Sequence, residues 1–357
     1  MSQVNEAATI PSIPVLIPTM SEFIDLLSYI HNNEKLIASY GACKIIPPRE
    51  WTKMKTLPLS SINSTFSISR QSIIPLSSLV SRVTNSQRKT INENEAMQMK
   101  IFVDFAHRPQ NRAPQGVVDV ESEFWKMIKS NSIAKRVIRY ATEIEHSLFP
   151  PTETIFNLND IPSKSLLSLT NQQIKVSILN FILGITTPFL HVGMFASMFS
   201  IHTEESDLFS MNYMHEGSSK FWYIIPSSNA DQLEQCLHDS DILQTSHCQA
   251  PLRHKNLFPN PNELIQRYNI PVYRIEQCPN DIIVTFPRAY HWGFNSGFNI
   301  AESVNFALPS WIPFGQQAHF CTCQKNDSSI KIDMSHFDMQ TSLVDMLMLD
   351  SGMSILK

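Results

Sequence analysis

Residues 196–215 read ASMFSIHTEESDLFSMNYMH, an apolar, strand-like run that carries an imidazole and two carboxylates at His202, Glu204 and Glu205. Burying unpaired charge costs several kcal/mol, so these groups need partners. In a β-strand, residues i and i+2 project to one face and i+1 to the other. His202 and Glu204 are therefore expected to converge, with Glu205 turned away. A His-x-Glu pair in β-rich sequence is a candidate for two legs of a facial triad, the ligand set that leaves positions open on a non-haem iron. A core histidine beside a surface carboxylate is the commoner origin of such a pair, so the motif has weight only with a third leg.

Working outward, DIIVTFPRAYHWGFNSGFN (281–299) supplies His291 at the end of an apolar run, just before a glycine-containing turn that allows close backbone approach. Strand, ligand and tight turn in that order suit the mouth of a barrel. His215 and His247 compete for the same role, and spacing does not choose between the three.

The chain around these motifs has 357 residues, 43% hydrophobic and 17% charged, the profile of a globular protein with one large or two medium cores. A net charge of −4 and a pI near 6.3 give no bulk reason to bind nucleic acid or anionic membrane, and would not repel a basic peptide. No run reaches the roughly 18 to 20 apolar residues of a membrane span, and the polar MSQVNEAATI start lacks a signal-peptide layout, so an intracellular protein is expected. Six cysteines are too few for a disulfide scaffold, and the Cys321-x-Cys323 pair reads better as metal ligation.

Residues 13–51 form a compact unit. IPVLIPT and YGACKIIPPREW are strand-like, and TMSEFIDLLSYIHN between them carries Phe23, Leu26, Leu27 and Ile30 at helical spacing behind a Thr19/Glu22 capping box. Pro47 and Pro48 end the second strand. Residues 52–120 are rich in Ser, Thr, Gln and Asn and are expected to be loop-rich. From about 121 to 323 the chain turns aromatic and β-rich: KFWYIIP, DIIVTFP and FNIAESVNFAL are short strands, interrupted by helical NADQLEQCL and NPNELIQRY. Many short strands with turn punctuation favour a sandwich or jelly roll over a parallel sheet. The tail, 324–357, holds an amphipathic stretch near SLVDMLMLD.

HTEESDLFSMNYMHEGSSKFWYIIPS and YHWGFNSGFNIAESVNFA resemble the JmjC domain of the jumonji histone lysine demethylases, and 13–51 resembles the JmjN domain paired with it. The resemblance is to the class acting on trimethylated lysines of histone H3. It implies a mainly β fold with helices (α+β), a double-stranded β-helix or cupin-like jelly roll with a JmjN unit packed on it. It implies that His202, Glu204 and His291 bind Fe(II), and that Tyr140, Phe199, Asn212, Lys220 and Trp222 hold the co-substrate 2-oxoglutarate. Gly184, Glu204, Ser303 and Asn305 match the polar methylammonium pocket of the family, with Lys255 at its active-site lysine. Cys248, His254, Cys321 and Cys323 match a structural Zn(II) site of this class, which would leave Cys43, Cys236 and Cys278 as buried thiols.

Two positions depart from the pattern: His191 in PFLHVG replaces a tyrosine of the pocket wall, and Trp292 follows the third iron ligand where the class has a small residue. On a strand Trp292 would face away from the side of His291, which makes packing the milder expectation. The function implied is demethylation of tri- or dimethyl-lysine on histone H3 by N-methyl hydroxylation, with formaldehyde and succinate released. A catalytically weak jumonji scaffold on chromatin and a jumonji hydroxylase of a non-histone protein are the alternatives. The implied partner is a methylated H3 tail, with no sequence-specific nucleic-acid contact and no membrane, in a nuclear monomer.

Overall fold

The computed structural model describes residues 10–52, 68–86, 99–150, 155–165, 185–240, 242–243, 248–321, 323 and 332–337. Gly184, His247 and the SLVDMLMLD stretch lie outside these residues. The strands are β1 (Val15–Leu16), β2 (Ala42–Ile45), β3 (Ser69–Pro75), β4 (Val80–Ser86), β5 (Ile138–Ile144), β6 (Phe189–Gly193) and β7 (Met198–His202). They continue with β8 (Phe209–Gly217), β9 (Lys220–Ile225), β10 (Leu257–Pro259), β11 (Tyr273–Gln277), β12 (Ile282–Thr285), β13 (Tyr290–Asn295) and β14 (Asn299–Phe306).

Two sheets result. The larger runs β1-β2-β12-β8-β14-β6-β5-β3-β4-β10 and the smaller β11-β9-β13-β7. From β6 onward the chain crosses repeatedly between them: β6, β8, β12 and β14 lie in the large sheet and β7, β9, β11 and β13 in the small one. Antiparallel strands alternating between two facing sheets make a jelly roll, which buries the inner face of each sheet against the other.

Side-chain alternation decides what the roll encloses. In β13, Tyr290, Trp292 and Phe294 belong to an apolar cluster with Phe124, Tyr223, Leu233 and Leu264, contributed by β9 and by the covering helices Val120–Lys129, Ala230–Asp239 and Pro261–Tyr268. Phe124 stacks on Phe294 at 3.7 Å. His291, between two residues of that outer face, is left to point inward. Trp292 is fully buried in this outer cluster, and its Nε1 donates to the Pro259 carbonyl at 3.1 Å, so it packs away from His291 as strand parity predicts.

The N-terminal unit is strand, helix and strand as read, although the helical part breaks into Met20–Ile24, Leu26–Asn32 and Glu34–Tyr40. The Thr19/Glu22 capping box forms, with the Thr19 N–H donating to Glu22 Oε2 at 2.7 Å. Phe23, Leu26 and Ile30 bury against Tyr213, Val284 and Phe306 of the large sheet. β2 pairs antiparallel with β12, Cys43 opposite Val284, and β12 pairs in turn with β8, Ile283 opposite Asn212.

The 52–120 stretch differs from a loop-rich connector: β3 and β4 form a hairpin that extends the large sheet, and Met99–Ala106 is a helix packed on β5 and β6. Its Ser, Thr, Asn and Gln residues include the outward positions of that hairpin, where Ser72 bonds Thr84 across the strands at 2.7 Å. Cys43 and Cys236 are buried, whereas Cys278 is exposed, against the expectation of a third buried thiol. It follows β11 at the turn into β12, where its N–H donates to Asp281 Oδ2 at 2.8 Å.

Candidate metal centre

His202 closes β7 and sits directly opposite His291 of β13. Their rings lie 4.4 Å apart, and Glu204 Oε1 is 3.3 Å from His291 Nε2. One donor atom from each of the three can be chosen within 4.8 Å of the others. The strand ends at His202, so Glu204 reaches its place from the first residue past the ladder but one, with φ −70° and ψ 159°, an extended backbone that preserves the i, i+2 relation. Glu205 turns away, towards Arg253 at 3.9 Å and Lys255 at 4.0 Å. His291 is the second residue of β13, not the last residue before a turn, since the strand runs on through Gly293 to Asn295.

Each imidazole is fixed by its Nδ1. His202 Nδ1 is 2.7 Å from the Ser200 carbonyl and His291 Nδ1 is 3.1 Å from that of Ala289. A carbonyl can only accept, so both Nδ1 atoms carry the proton and, in the neutral rings, both lone pairs are on Nε2. Burial, the neighbouring His291 and the Lys255 charge push His202 well below its ordinary 6.5, keeping it neutral at pH 7. Burial alone would raise the Glu204 carboxyl, but His291, His202 and Lys255 outweigh it and hold the group below the ordinary carboxylate range. Two imidazole nitrogens and one carboxylate gathered this closely are the donor set of an open-sided Fe(II) site.

Phe199 and His202 are three apart yet both serve the interior, because β7 bulges against β13: His291 faces His202 while Gly293 faces Phe199. The extra residue reverses strand parity between them. Gly293 is needed at this crossing, since a Cβ there would lie 1.9 Å from the Phe221 carbonyl oxygen and 2.6 Å from Phe199 Cζ.

Phe199 in turn walls a buried cation. Lys220, the first residue of β9, is 2% exposed, and its Nζ donates to Tyr140 Oη at 3.3 Å. The ring centroids of Phe199, Tyr140 and Trp222 lie 5.1, 5.7 and 5.9 Å from Nζ. Among the described residues no carboxylate pairs with Lys220. A desolvated ammonium in an aromatic box, beside a phenol and open-sided metal ligands, is built to receive an anion. Gln277, fully buried, links the set: it accepts from Trp222 Nε1 at 2.9 Å and donates to Asn212 Oδ1 at 3.1 Å and to the Asn212 carbonyl at 2.9 Å. That leaves the Asn212 Nδ2 hydrogens for another acceptor. No sequence signal marks Gln277, which comes from β11, outside the matched motifs.

Of the positions matched to the methylammonium pocket, His191 and Ser303 meet across β6 and β14, Nε2 to Oγ 2.7 Å. Burial, then the Lys220 charge, lower His191 to about 3, opposed by Glu204. It is therefore a neutral imidazole that shares its surroundings with both lysines and the acidic ligand. Asn305 is buried with its Nδ2 donating to the Phe209 carbonyl at 3.2 Å, and Lys255 is partly exposed in a left-handed turn with φ 50°. His215, a rival for the third metal leg, is instead bonded to Glu302 at 2.8 Å in a separate buried pair.

A second cluster joins Cys248, His254, Cys321 and Cys323. Cys248 and Cys321 sulfurs are 3.5 Å apart, and His254 Nε2 lies 3.3 Å from Cys321 and 3.5 Å from Cys323. Three thiols and one imidazole with donor atoms within 4.8 Å suit a closed tetrahedral cation, with Zn(II) as the fitting ion. The hydrogen bond with Cys248 and the crowding of thiols push Cys323 up to about 11, so uptake of a cation here displaces protons. Arg253 connects the two clusters. Adjacent to His254 in sequence, it donates to the carbonyls of His319 and Glu204, each at 2.7 Å, and to Asp207 at 2.8 Å.

Residues 189–306 match the family model described as the JmjC domain, hydroxylase, and residues 14–47 match that of the jmjN domain. The chain is a JmjN/JmjC-domain protein. Among curated proteins this jumonji chain is 31% identical over 323 residues to a human probable lysine-specific demethylase 4F, covering 88% of the chain and 47% of that relative. It is 32% identical over 338 residues to mouse lysine-specific demethylase 4B (94% and 30%) and 32% over 325 residues to rat lysine-specific demethylase 4D (90% and 60%). The chain thus spans between 30% and 60% of the length of these relatives.

Proposed function

We propose that this jumonji protein demethylates tri- or dimethyl-lysine on a histone H3 tail as an Fe(II)- and 2-oxoglutarate-dependent dioxygenase, releasing formaldehyde and succinate. The observation that carries the reading is the meeting, in one roll, of His202, Glu204 and His291 with a buried Lys220 that pairs with no carboxylate among the described residues. The relatives are by name lysine-specific demethylases, which supports the substrate class. A nuclear location follows from that substrate.

In this reading iron bound by the triad supplies oxidation of a substrate C–H bond by O2, coupled to decarboxylation of the co-substrate. The chain does the positioning. Lys220 and Tyr140 take the distal carboxylate of 2-oxoglutarate, Asn212 offers its remaining N–H groups, and Phe199 and Trp222 exclude water. The fixed Nδ1 bonds of His202 and His291 aim both Nε2 lone pairs inward before metal arrives, and Glu204 stays ionised as the anionic ligand. Glu204, Ser303, Asn305 and Gly184, with neutral His191 on the wall, form the methylammonium pocket, and Lys255 stands at its rim. Zn(II) held by Cys248, His254, Cys321 and Cys323 pins the segment through which Arg253 reaches Glu204.

The two departures that favour a catalytically weak scaffold are His191 and Trp292, and of these Trp292 packs outside the roll. The test is formaldehyde release across a panel of methylated H3 peptides, comparing wild type with His202→Ala. Iron-loaded wild type that binds 2-oxoglutarate yet releases no formaldehyde from any member overturns the proposal.

A further inference from the structure

The N-terminal unit touches the roll on two surfaces of different character. Its helices lay Phe23, Leu26 and Ile30 on the large sheet, against Tyr213, Val284 and Phe306. The second surface is smaller and reaches the interior: Ile13 and Ala42 bury with Trp222, Ile224, Ile275 and Ile283, and Phe199 packs on the same group. Backbone pairing puts Ile13 there. Its N–H donates to the Arg274 carbonyl of β11 at 3.1 Å, and the Arg274 N–H donates to the Pro11 carbonyl at 2.8 Å. One residue past Ile13, the Pro14 carbonyl accepts from the Lys44 N–H of β2 at 2.9 Å, so residues 11–14 span from the small sheet to the large one.

Parity along β9 shows what this surface supports. Lys220, Trp222 and Ile224 share one face of the strand, while Phe221, Tyr223 and Ile225 on the other belong to the outer apolar cluster. Ring to ring, Trp222 meets Phe199 at 4.7 Å and His291 at 6.0 Å, and Ile224 sits directly opposite His291 in the β9–β13 register. Gly41, between the helix Glu34–Tyr40 and β2, abuts Ile224. Its φ is 78°, and a Cβ there would lie 2.9 Å from both Ile224 Cγ2 and Pro226 Cα and 3.2 Å from Ala289 Cβ. The Gly41 carbonyl accepts from the Phe286 N–H at 2.9 Å, at the start of a turn closed by the Ala289 N–H on the Phe286 carbonyl at 3.1 Å. Ala289 is the residue whose own carbonyl fixes His291 Nδ1.

We propose that Ile13 and Gly41 are positioning residues of the metal centre: Ile13 holds the Trp222 wall of the Lys220 box, and Gly41 holds Ile224 and the 286–289 turn beside His291. Both roles rest on the reading of that box and triad as a 2-oxoglutarate and Fe(II) site. Close-packed interiors transmit displacement, so a gap or a clash at either residue is felt by groups that neither one touches. Phe23 belongs to the same unit but to its other surface, where its ring packs on those of Trp51 and Phe156 at 5.2 Å each.

The experiment titrates two probes into the full chain by calorimetry: Mn(II), which prefers carboxylate and other hard donors over thiols, and then 2-oxoglutarate into the Mn(II)-loaded protein. Ile13→Ala is expected to weaken 2-oxoglutarate by about 2- to 30-fold, the range for a packed residue coupled to a site without touching the ligand, and Ile13→Val to restore most of the loss. Gly41→Ala is expected to weaken Mn(II) by roughly 10- to 100-fold, as when a group that orients a metal ligand is disturbed. Phe23→Leu should lower the urea midpoint and leave both affinities as in wild type. Ile13→Ala and Gly41→Ala variants that lose urea stability with both affinities intact overturn the proposal, as does Phe23→Leu weakening 2-oxoglutarate as much as Ile13→Ala does. Where Gly41→Ala does not fold, the comparison of Ile13 with Phe23 decides alone. Wild type that binds neither probe removes the positioning roles and the proposed function together. Binding of both probes without formaldehyde from any methylated peptide removes the enzymatic reading and leaves the positioning roles standing.

Discussion

The guanidinium of Arg253 lies 2.7 Å from the backbone carbonyl of Glu204, so the residue beside a thiol-cluster ligand holds the chain at an iron-type ligand. The same side chain, 7% exposed, neutralises Asp207 and donates to His319 just before Cys321. Replacing it by Gln leaves Asp207 buried and uncompensated. R253Q should lose about 3–5 kcal/mol of stability by urea denaturation. It should also hold iron more weakly, roughly 10- to 100-fold by metal titration, as expected when a group that orients a ligand is removed.

Glu204 and Glu205 are adjacent but unequal. Glu204→Ala removes the one anionic donor of the triad and should weaken iron binding by more than roughly a hundredfold, abolishing turnover. Glu205 meets Arg253 and Lys255 only at 3.9 and 4.0 Å, separations at which ion pairs contribute about 0–1 kcal/mol. Glu205→Ala should keep iron affinity within a few-fold of wild type, and equal losses from both substitutions would break the assignment.

In the proposed reading Lys220 is a cation buried for a ligand rather than for the fold. Lys220→Met should stabilise the ligand-free protein by an amount on the order of 1 kcal/mol, because an uncompensated buried charge disappears. The same variant should show no thermal shift on adding 2-oxoglutarate, while wild type does. A variant destabilised by the change would place the missing counter-charge inside the protein.

The two buried histidines set a direction for pH dependence. Their folded-state values are depressed, His191 to about 3 and His202 well below 6.5, so the unfolded chain binds more protons between those values and 6.5. The contribution is therefore fully present above 6.5 and is lost as pH falls below it. Urea stability of the metal-free protein should drop between about pH 6.5 and 5, each such histidine supplying up to about 1.4 kcal/mol per pH unit. His191→Tyr should make that slope shallower by about one histidine's share.

Much of the site could be read from local spacing. His202 and Glu204 are legible because two residues apart on an extended backbone is a geometric statement, and it survives even though the ladder stops at His202. Trp292 is legible by the same parity. The interior placement of Phe199 follows from the bulge in β7, which depends on how β13 pairs with it and has no signature within either segment. Gln277 and Arg253 act through contacts that close only when distant segments meet. The hairpin of β3 and β4 hid in polar sequence because one of its faces is solvated, leaving Ile73, Val80 and Val83 as the sparse apolar record of the other.

The pairing of β2 with β12 bears on modularity. β12 is fully buried from Ile282 to Thr285 and passes its register directly to Asn212 in β8. Cutting the chain between the two matched family segments would strip one neighbour from β12 and leave a bare row of backbone donors and acceptors flanked by Ile282 and Val284, an invitation to intermolecular strand pairing. The two matched segments therefore share one sheet, and separating them would turn the internal strand β12 into an edge open to intermolecular pairing.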